Sequence, residues 1–105
     1  MKNFSNQIKD HIQAVQSLTS FENDLNRLII SLKEAIEYEN KIFFCGNGGS
    51  AADSEHLCAE FIGRFNKNRK PYPAISLTSN SANITCISND YGYNQLFARQ
   101  LEALA

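Results

Sequence analysis

Apolar residues recur at three- and four-residue steps along the first part of the chain, which is the spacing of an amphipathic helix. The first set predicts a helix with one buried stripe, made of Phe4, Ile8, Ile12, Val15 and Leu18. The residues from Thr19 to Glu22 match a capping box, so a second helix is expected to begin near Thr19 and to stop at Asn40. Its inner face carries Leu25, Leu28, Ile29, Leu32, Ala35 and Ile36.

The hydrophobic pattern changes after position 40. Residues 41–45 form an apolar run without alternation, as expected for a parallel strand that is covered on both faces. A glycine-rich loop follows, and residues 50–64 predict a helix. Beyond Pro71 and Pro73, residues 74–78 predict a second strand. Residues 83–87 and 95–105 predict two further helices, separated by a loop at 89–93.

Strands that alternate with helices indicate an α/β fold with a parallel sheet, here preceded by two helices. We divide the chain into an N-terminal helical pair at 1–40 and the first part of an α/β domain at 41–105. Two strands are fewer than the roughly 4–6 of an ordinary sheet. The last predicted helix also reaches Ala105 without a stop signal. We therefore expect the N-terminal portion of a longer domain.

Composition narrows the class of partner. The 105 residues are 43% hydrophobic and carry a net charge of −1, so they lack the broad basic field that nucleic acid or an anionic membrane surface requires. No apolar run is long enough to span a bilayer. Three cysteines without a CxxC spacing argue against a disulfide framework and a cysteine zinc site, and they suit a reducing cytoplasm. A small-molecule ligand is the expected partner.

The glycine-rich loop at 46–49 is the strongest candidate site. A loop that joins a strand to a helix start directs backbone N–H groups and the positive end of the helix dipole at one point, which stabilises a phosphate. His56, Glu60 and Arg64 follow at four-residue intervals, so all three are predicted to share one face of the helix. By spacing alone, an ordinary solvated helix face with two i,i+4 pairs is the more common interpretation.

Dinucleotide binding is one alternative, because Gly46, Gly48 and Ala51 fit the spacing of a Rossmann fingerprint. That fingerprint also requires an acidic residue about 20 positions later, at the end of the second strand. No carboxylate lies between Glu60 and Asp90, so this alternative loses most of its support.

The residues from 45 to 65 form a longer joint pattern. Its parts are Cys45-Gly46-Asn47-Gly48-Gly49-Ser50-Ala51-Ala52-Asp53, then His56 with Ala59-Glu60, then Gly63-Arg64-Phe65. This pattern resembles the signature of bacterial phosphoheptose isomerases, which are sugar isomerase (SIS) domain proteins. The similarity continues through Tyr72-Pro73-Ala74-Ile75 and Asn89-Asp90-Tyr91-Gly92-Tyr93-Asn94 and covers essentially the whole chain.

The resemblance implies a SIS-type three-layer sandwich with a Rossmann-like parallel sheet, of which this chain holds the first two strands. It also implies a cytoplasmic homotetramer that interconverts sedoheptulose 7-phosphate and D-glycero-D-manno-heptose 7-phosphate. The product serves the synthesis of a surface polysaccharide, either lipopolysaccharide or capsule.

The resemblance assigns roles to individual residues. Glu60 matches the catalytic glutamate, and His56 matches a residue that binds zinc together with that glutamate in metal-containing members. Arg64 matches an arginine whose role stays open between substrate contact and structural pairing. The matched substrate-binding positions are Asn47, Gly48, Gly49, Ser50, Glu60, Asn89 and Asp90. In the family, the remaining metal ligands, a histidine acid and the phosphate-binding loop lie in the second half of the domain.

Two further alternatives concern proteins without this activity. Replication initiator-associating proteins resemble phosphoheptose isomerases in fold but act by binding a protein partner, and they depart from the isomerase pattern at the glutamate and in the loop. Because Glu60, Gly48 and Gly49 are all present here, the enzyme interpretation is favoured. The other alternative is a catalytically incomplete fragment.

Overall fold

The computed structural model describes residues 3–105. These residues divide into two compact units, one that ends at Glu34 and one that spans Ala35–Ala105. Within the described residues, no helix is both long enough and apolar enough to cross a membrane.

The first unit is helical, as the hydrophobic spacing predicts. Helix α1 spans Phe4–Ser17, a 3₁₀ turn spans Leu18–Phe21, and helix α2 spans Glu22–Glu37 and continues into the second unit. The predicted capping box is wrong, because the Thr19 hydroxyl donates back to the Gln16 carbonyl at 3.0 Å. The last carbonyls of α1 lack partners within the helix, and nearby hydroxyls such as that of Thr19 satisfy them.

The prediction of a buried stripe on α1 is also wrong. No residue of α1 or α2 is buried, and the stripe residues of α1 are 43–76% exposed. On α2, Leu25, Leu28 and Ile29 are exposed, whereas Leu32, Ala35 and Ile36 are half-buried. The spacing thus predicts the helices correctly, but an apolar stripe is buried only where another element packs on it.

The second unit contains the parallel sheet. Strand β1 spans Ile42–Phe44 and strand β2 spans Ala74–Ser76, and the two pair in parallel with Ile42 opposite Ala74. Between them lies helix α3 at Gly49–Ile62, and after them come helix α4 at Ser81–Tyr91, a 3₁₀ turn at Tyr93–Gln95 and helix α5 at Leu96–Leu104. This order confirms the predicted α/β class with a parallel sheet.

Helix α4 is longer than its prediction. Asn80 caps its start by accepting a hydrogen bond from the Asn83 amide at 3.0 Å, and its last residue is Tyr91. The predicted loop at 89–93 is therefore wrong for Asn89, Asp90 and Tyr91, which lie in the last turn of α4. Gly92 ends the helix with a φ of 95°, a conformation that favours glycine.

The core of this unit is formed by residues of the sheet, α3, α4 and α5 and of the segment just after β2. Helix α3 packs on both strands, and α4 packs on α5. The buried apolar residues are Ile42, Cys58, Ala74, Leu77, Ile87 and Leu96. Gln100 is buried with them, and its amide donates to the carbonyls of Leu77 and Leu96 at 3.0 and 3.1 Å. The bond to Leu77 joins α5 to the carboxyl end of β2, where ligand sites of parallel sheets form.

Candidate active site

The loop from β1 to α3 depends on two glycines for different reasons. A Cβ on Gly46 would lie 2.5 Å from the Ser50 carbonyl oxygen, so only glycine lets the strand end approach the first turn of α3. Gly48 has a φ of 58° and a ψ of −122°, which side-chain-bearing residues rarely adopt. Gly49 is the first residue of α3 and a Cβ there would meet no atom within 4 Å. The loop is therefore a constrained turn that ends at an exposed helix start.

A cluster of three hydroxyls secures this helix start to the sheet. The Ser54 hydroxyl lies 3.1 Å from those of Ser76 and Thr78, which are 2.9 Å apart from each other. Ser54 also donates to the Ala51 carbonyl at 2.8 Å, and Thr78 donates to the same carbonyl at 3.3 Å. Because Ser54 is 3% exposed, these bonds are shielded from water and tie the first turns of α3 to the end of β2.

His56 and Glu60 meet one turn apart on α3. The imidazole Nε2 of His56 lies 3.3 Å from Oε1 of Glu60, and the side chains are 76% and 31% exposed. Both line an open cleft of about 670 Å³. The other lining residues are Asp53, Leu57, Phe61, Phe65, Arg69 and Tyr72. The cleft thus combines an apolar, aromatic wall with a carboxylate–imidazole pair, which is the composition of a small-molecule site.

Arg64 does not share the helical face of His56 and Glu60. Helix α3 ends at Ile62, and Gly63 leaves the helical conformation with a ψ of −115°, so the prediction that Arg64 lies on that face is wrong. Arg69 occupies the end of the helix instead. Its guanidinium donates to the carbonyls of Glu60 and Phe61 at 2.8 and 2.9 Å, satisfying acceptors that a helix end leaves free.

Arg69 also joins this helix end to the cleft wall. It donates to the carbonyls of Gly63 and Lys70 at 3.2 and 3.0 Å, and its guanidinium lies 3.9 Å above the ring centre of Tyr72. The Phe61 ring contacts Tyr72 edge-on, with centroids 6.3 Å apart. Arg69 therefore holds in place the turn of α3 that carries Glu60.

The remaining predicted site residues form a second group near the loop. Asn89 donates to the Asp90 carboxylate at 2.9 Å in the last turn of α4. Just after that turn, the Tyr93 hydroxyl donates to Oδ1 of Asn47 in the glycine-rich loop. The structure thus connects Asn47 to the segment that follows Asn89 and Asp90. His56 lies about 10 Å along α3 from the start of the helix, because it is seven residues after Gly49.

The donor set of the cleft fits part of a zinc site. A tetrahedral zinc ion with bonds of about 2.0–2.2 Å holds two ligand atoms roughly 3.3–3.5 Å apart. The separation of His56 Nε2 and Glu60 Oε1, 3.3 Å, matches this spacing. Among residues 3–105 there is no cluster of three or more potential metal ligands, so this part of the chain offers a pair of ligands and not a full set.

Sequence reasoning missed Arg69, the hydroxyl cluster and Tyr93. For Ser76 and Thr78 a signal existed, because residues two apart at a strand end point to the same side. For Arg69 and Tyr93 no local signal existed, since the partners of Arg69 on α3 lie 8 and 9 residues away and the partner of Tyr93 lies 46 residues away.

The SIS domain family model matches residues 3–105. With the parallel sheet, the glycine-rich junction and the cleft on α3, this match shows that the chain belongs to the SIS domain family.

Its relatives include phosphoheptose isomerases. The protein of that name from a Synechocystis species is 46% identical over an alignment of 97 positions that covers 88% of this chain and 50% of the relative. The one from Helicobacter pylori strain P12 is 46% identical over 95 residues, which are 90% of this chain and 50% of the relative. The chain thus spans about half the length of these curated relatives, in agreement with the prediction of an N-terminal portion.

Solved structures agree with these sequence relationships. The phosphoheptose isomerase of Neisseria gonorrhoeae superimposes with a TM-score of 0.78 at 30% identity, over 98% of this chain and 55% of that one. A phosphoheptose isomerase from Francisella tularensis gives a TM-score of 0.82 at 28% identity, over 99% of this chain and 57% of that one. These similarities confirm the SIS-type fold and the predicted resemblance to phosphoheptose isomerases.

Proposed function

We propose that this chain forms part of an aldose–ketose isomerase that converts sedoheptulose 7-phosphate to D-glycero-D-manno-heptose 7-phosphate. The observation that carries the proposal is the His56–Glu60 pair at 3.3 Å on the wall of an open cleft. The names of the relatives that match most of the chain support the same activity. The product would feed the heptose units of lipopolysaccharide or capsule.

The reaction moves a proton between two adjacent carbons. A base removes a proton from C1 of the ketose while the carbonyl oxygen on C2 gains one, which gives an enediol. Loss of the O1 proton and return of a proton to C2 then give the aldose. Glu60 is the proposed base, because it is a half-buried carboxylate that lines the cleft. The acid that protonates the carbonyl oxygen is expected from the rest of the SIS domain.

Substrate binding is assigned to the loop and to the end of α4. Asn47, Gly48, Gly49 and Ser50 lie at an exposed helix start, which favours an electron-rich oxygen. Asn89 and Asp90 offer polar groups from the last turn of α4. Arg64 lies beyond the helix and outside the residues that line the cleft, so a structural role is the simpler proposal for it.

We further propose that His56 and Glu60 supply two ligands of a zinc ion, with the other ligands outside these residues. When bound, zinc would polarise the substrate carbonyl as a Lewis acid. The test is elemental analysis of the purified full-length protein. His56→Ala is expected to lower bound zinc at least tenfold, whereas His11→Ala removes the other histidine, on α1, and leaves zinc unchanged. Equal zinc in the wild type and both variants would remove His56 from the site.

The activity itself is tested by Glu60→Gln in the full-length protein. This change keeps the shape of the side chain and removes the base, so kcat is expected to fall at least ~100-fold. Glu55→Gln is the matched control, because Glu55 lies on the same helix and its contact with the Thr78 hydroxyl, at 3.4 Å, survives in a glutamine. Unchanged turnover of sedoheptulose 7-phosphate in Glu60→Gln would refute the assignment of the base. Binding of a replication initiator by a wild type without isomerase activity would favour the non-enzyme alternative.

The proposed assembly is a cytoplasmic homotetramer. The exposed apolar stripes of α1 and α2 support an assembly, because such stripes are ordinarily covered. Three free cysteines suit a reducing compartment. Sedimentation equilibrium of the full-length protein measures the number of copies directly.

A further inference from the structure

Tyr93 is distant in sequence from the glycine-rich loop but contacts it in the structure. Its hydroxyl donates to Oδ1 of Asn47, 46 residues away. The preceding residue, Gly92, has a φ of 95°, and a Cβ there would lie 3.1 Å from Oδ1 of Asn94. Gly92 thus takes a conformation that favours glycine between the end of α4 and the 3₁₀ turn that begins at Tyr93.

This bond determines which end of the Asn47 amide is available. The amide carbon of an asparagine side chain carries an oxygen on one side, which accepts hydrogen bonds, and an NH₂ group on the other, which donates two. Because Tyr93 donates to the oxygen, turning the amide over would replace this bond with one from the NH₂ group to the phenol oxygen, which is a weaker acceptor than an amide oxygen. The NH₂ group of Asn47, an exposed residue, is then held away from Tyr93 as a donor.

We propose that Tyr93 is a positioning residue that acts through Asn47. It orients the Asn47 amide so that its NH₂ group donates to an oxygen of the sugar-phosphate substrate. This inference rests on the proposed function, which assigns Asn47 to substrate binding. Tyr93 makes no contact with substrate in this account.

Tyr91 provides a matched control. It lies two residues earlier and is 53% exposed, close to the 56% of Tyr93. Its hydroxyl accepts from Arg99 at 3.0 Å and its ring lies under the same guanidinium, so it is engaged within the helical part of the fold and not with the loop. Both Tyr91→Phe and Tyr93→Phe keep an exposed aromatic ring, but only Tyr93→Phe removes the hydrogen bond to Asn47.

The first test measures the binding of sedoheptulose 7-phosphate to the full-length protein by equilibrium titration. Isomerisation leaves the sugar phosphate intact, so the titration reports the Kd of the equilibrium mixture. Tyr93→Phe is expected to raise the Kd roughly 3- to 10-fold, the effect of losing one well-oriented hydrogen bond. Tyr91→Phe is expected to leave it within about 2-fold. Equal Kd values for Tyr93→Phe and the wild type would overturn the proposal.

A double-mutant cycle separates positioning from a general structural role. In the Asn47→Ala background, Tyr93→Phe is expected to change the Kd by less than about 2-fold, because the group it orients is gone. If the fold increases in Kd of the two single variants multiply in the double variant, Tyr93 acts independently of Asn47 and the proposal is wrong.

Two further readouts keep this proposal distinct from the proposed function. Turnover of the wild type tests the isomerase assignment by itself, and a protein that binds the sugar phosphate without turnover contradicts only that assignment. The side-chain amide signal of Asn47 in a ¹⁵N–¹H spectrum reports the Tyr93 bond without any substrate. It is expected to shift in Tyr93→Phe and not in Tyr91→Phe. An unshifted signal in Tyr93→Phe contradicts the positioning role even if the enzyme is active.

Discussion

The three glycines of the β1–α3 loop are expected to respond differently to the same change, replacement by alanine. At Gly46 the new Cβ would lie 2.5–2.7 Å from backbone and Cβ atoms of Ser50, so the first turn of α3 must move. At Gly48 there is space, but a φ of 58° is unfavourable for alanine. At Gly49 there is space and no such restriction, because it is the first helical residue.

The free energy of unfolding follows from these local causes. Gly46→Ala is expected to lower it by about 3 kcal/mol, the upper part of the range for overpacking. Gly48→Ala is expected to lower it by about 2 kcal/mol, as for other residues in sparsely populated backbone regions. Gly49→Ala is expected to raise it by about 0.6 kcal/mol, because alanine reduces the entropy of the unfolded chain.

Urea unfolding followed by circular dichroism measures the series in the full-length protein. With a denaturant slope of about 2 kcal/mol/M, the midpoint is expected about 1.5 M lower for Gly46→Ala and about 1 M lower for Gly48→Ala. For Gly49→Ala it is expected about 0.3 M higher. Equal losses in all three variants, or a loss at Gly49 as large as that at Gly46, would refute the reasoning from close approach and backbone conformation.

Two further predictions concern residues that hold the site together. Arg69→Lys keeps the charge but loses the planar fork that bonds four carbonyls, so the free energy of unfolding should fall by about 2 kcal/mol in thermal melts. Arg99→Lys is the control, because Arg99 lies over the ring of Tyr91 and bonds its hydroxyl but is not bonded to a carbonyl within residues 3–105. It should change the free energy of unfolding by less than ~1 kcal/mol. If both variants lowered the free energy of unfolding equally, the capping role of Arg69 would be contradicted. Ser54→Ala removes a buried, fully bonded hydroxyl and should cost about 1–2 kcal/mol in urea unfolding. Ser88→Ala removes a buried hydroxyl that has no partner among the described residues, so it should leave the free energy of unfolding unchanged. A larger loss for Ser88→Ala than for Ser54→Ala would contradict the stabilising role of the hydroxyl cluster.

Helices and strands in this chain were predictable where the signal is local. The apolar run at 41–45 and the hydrophobic spacing of the first forty residues predict β1, α1 and α2 at nearly their observed bounds. Predictions failed where a local motif competes with a neighbouring element. Thr19 fits a capping box, but its hydroxyl satisfies the end of the preceding helix instead. Asn89 and Asp90 resemble loop residues, but α4 continues through them because its stop signal is Gly92.

The candidate site shows the same division. The spacing of His56 and Glu60 places them one turn apart, and the structure confirms that their side chains meet. Arg64 has the same spacing but lies past the end of α3, because Gly63 leaves the helical conformation and Arg69 caps the last carbonyls. Spacing predicts a shared face only as far as the helix extends.

The sequence by itself determined the α/β class, the family and the residues at the glycine-rich junction, because these depend on periodicity and on motifs within a few positions. The tertiary structure alone decided which groups support that junction. Ser54 meets Ser76 and Thr78 across the end of the sheet, and Tyr93 reaches Asn47 from beyond α4. Hydrogen bonds between groups 22–46 residues apart form only when packing brings the two elements together, and no local pattern encodes that distance.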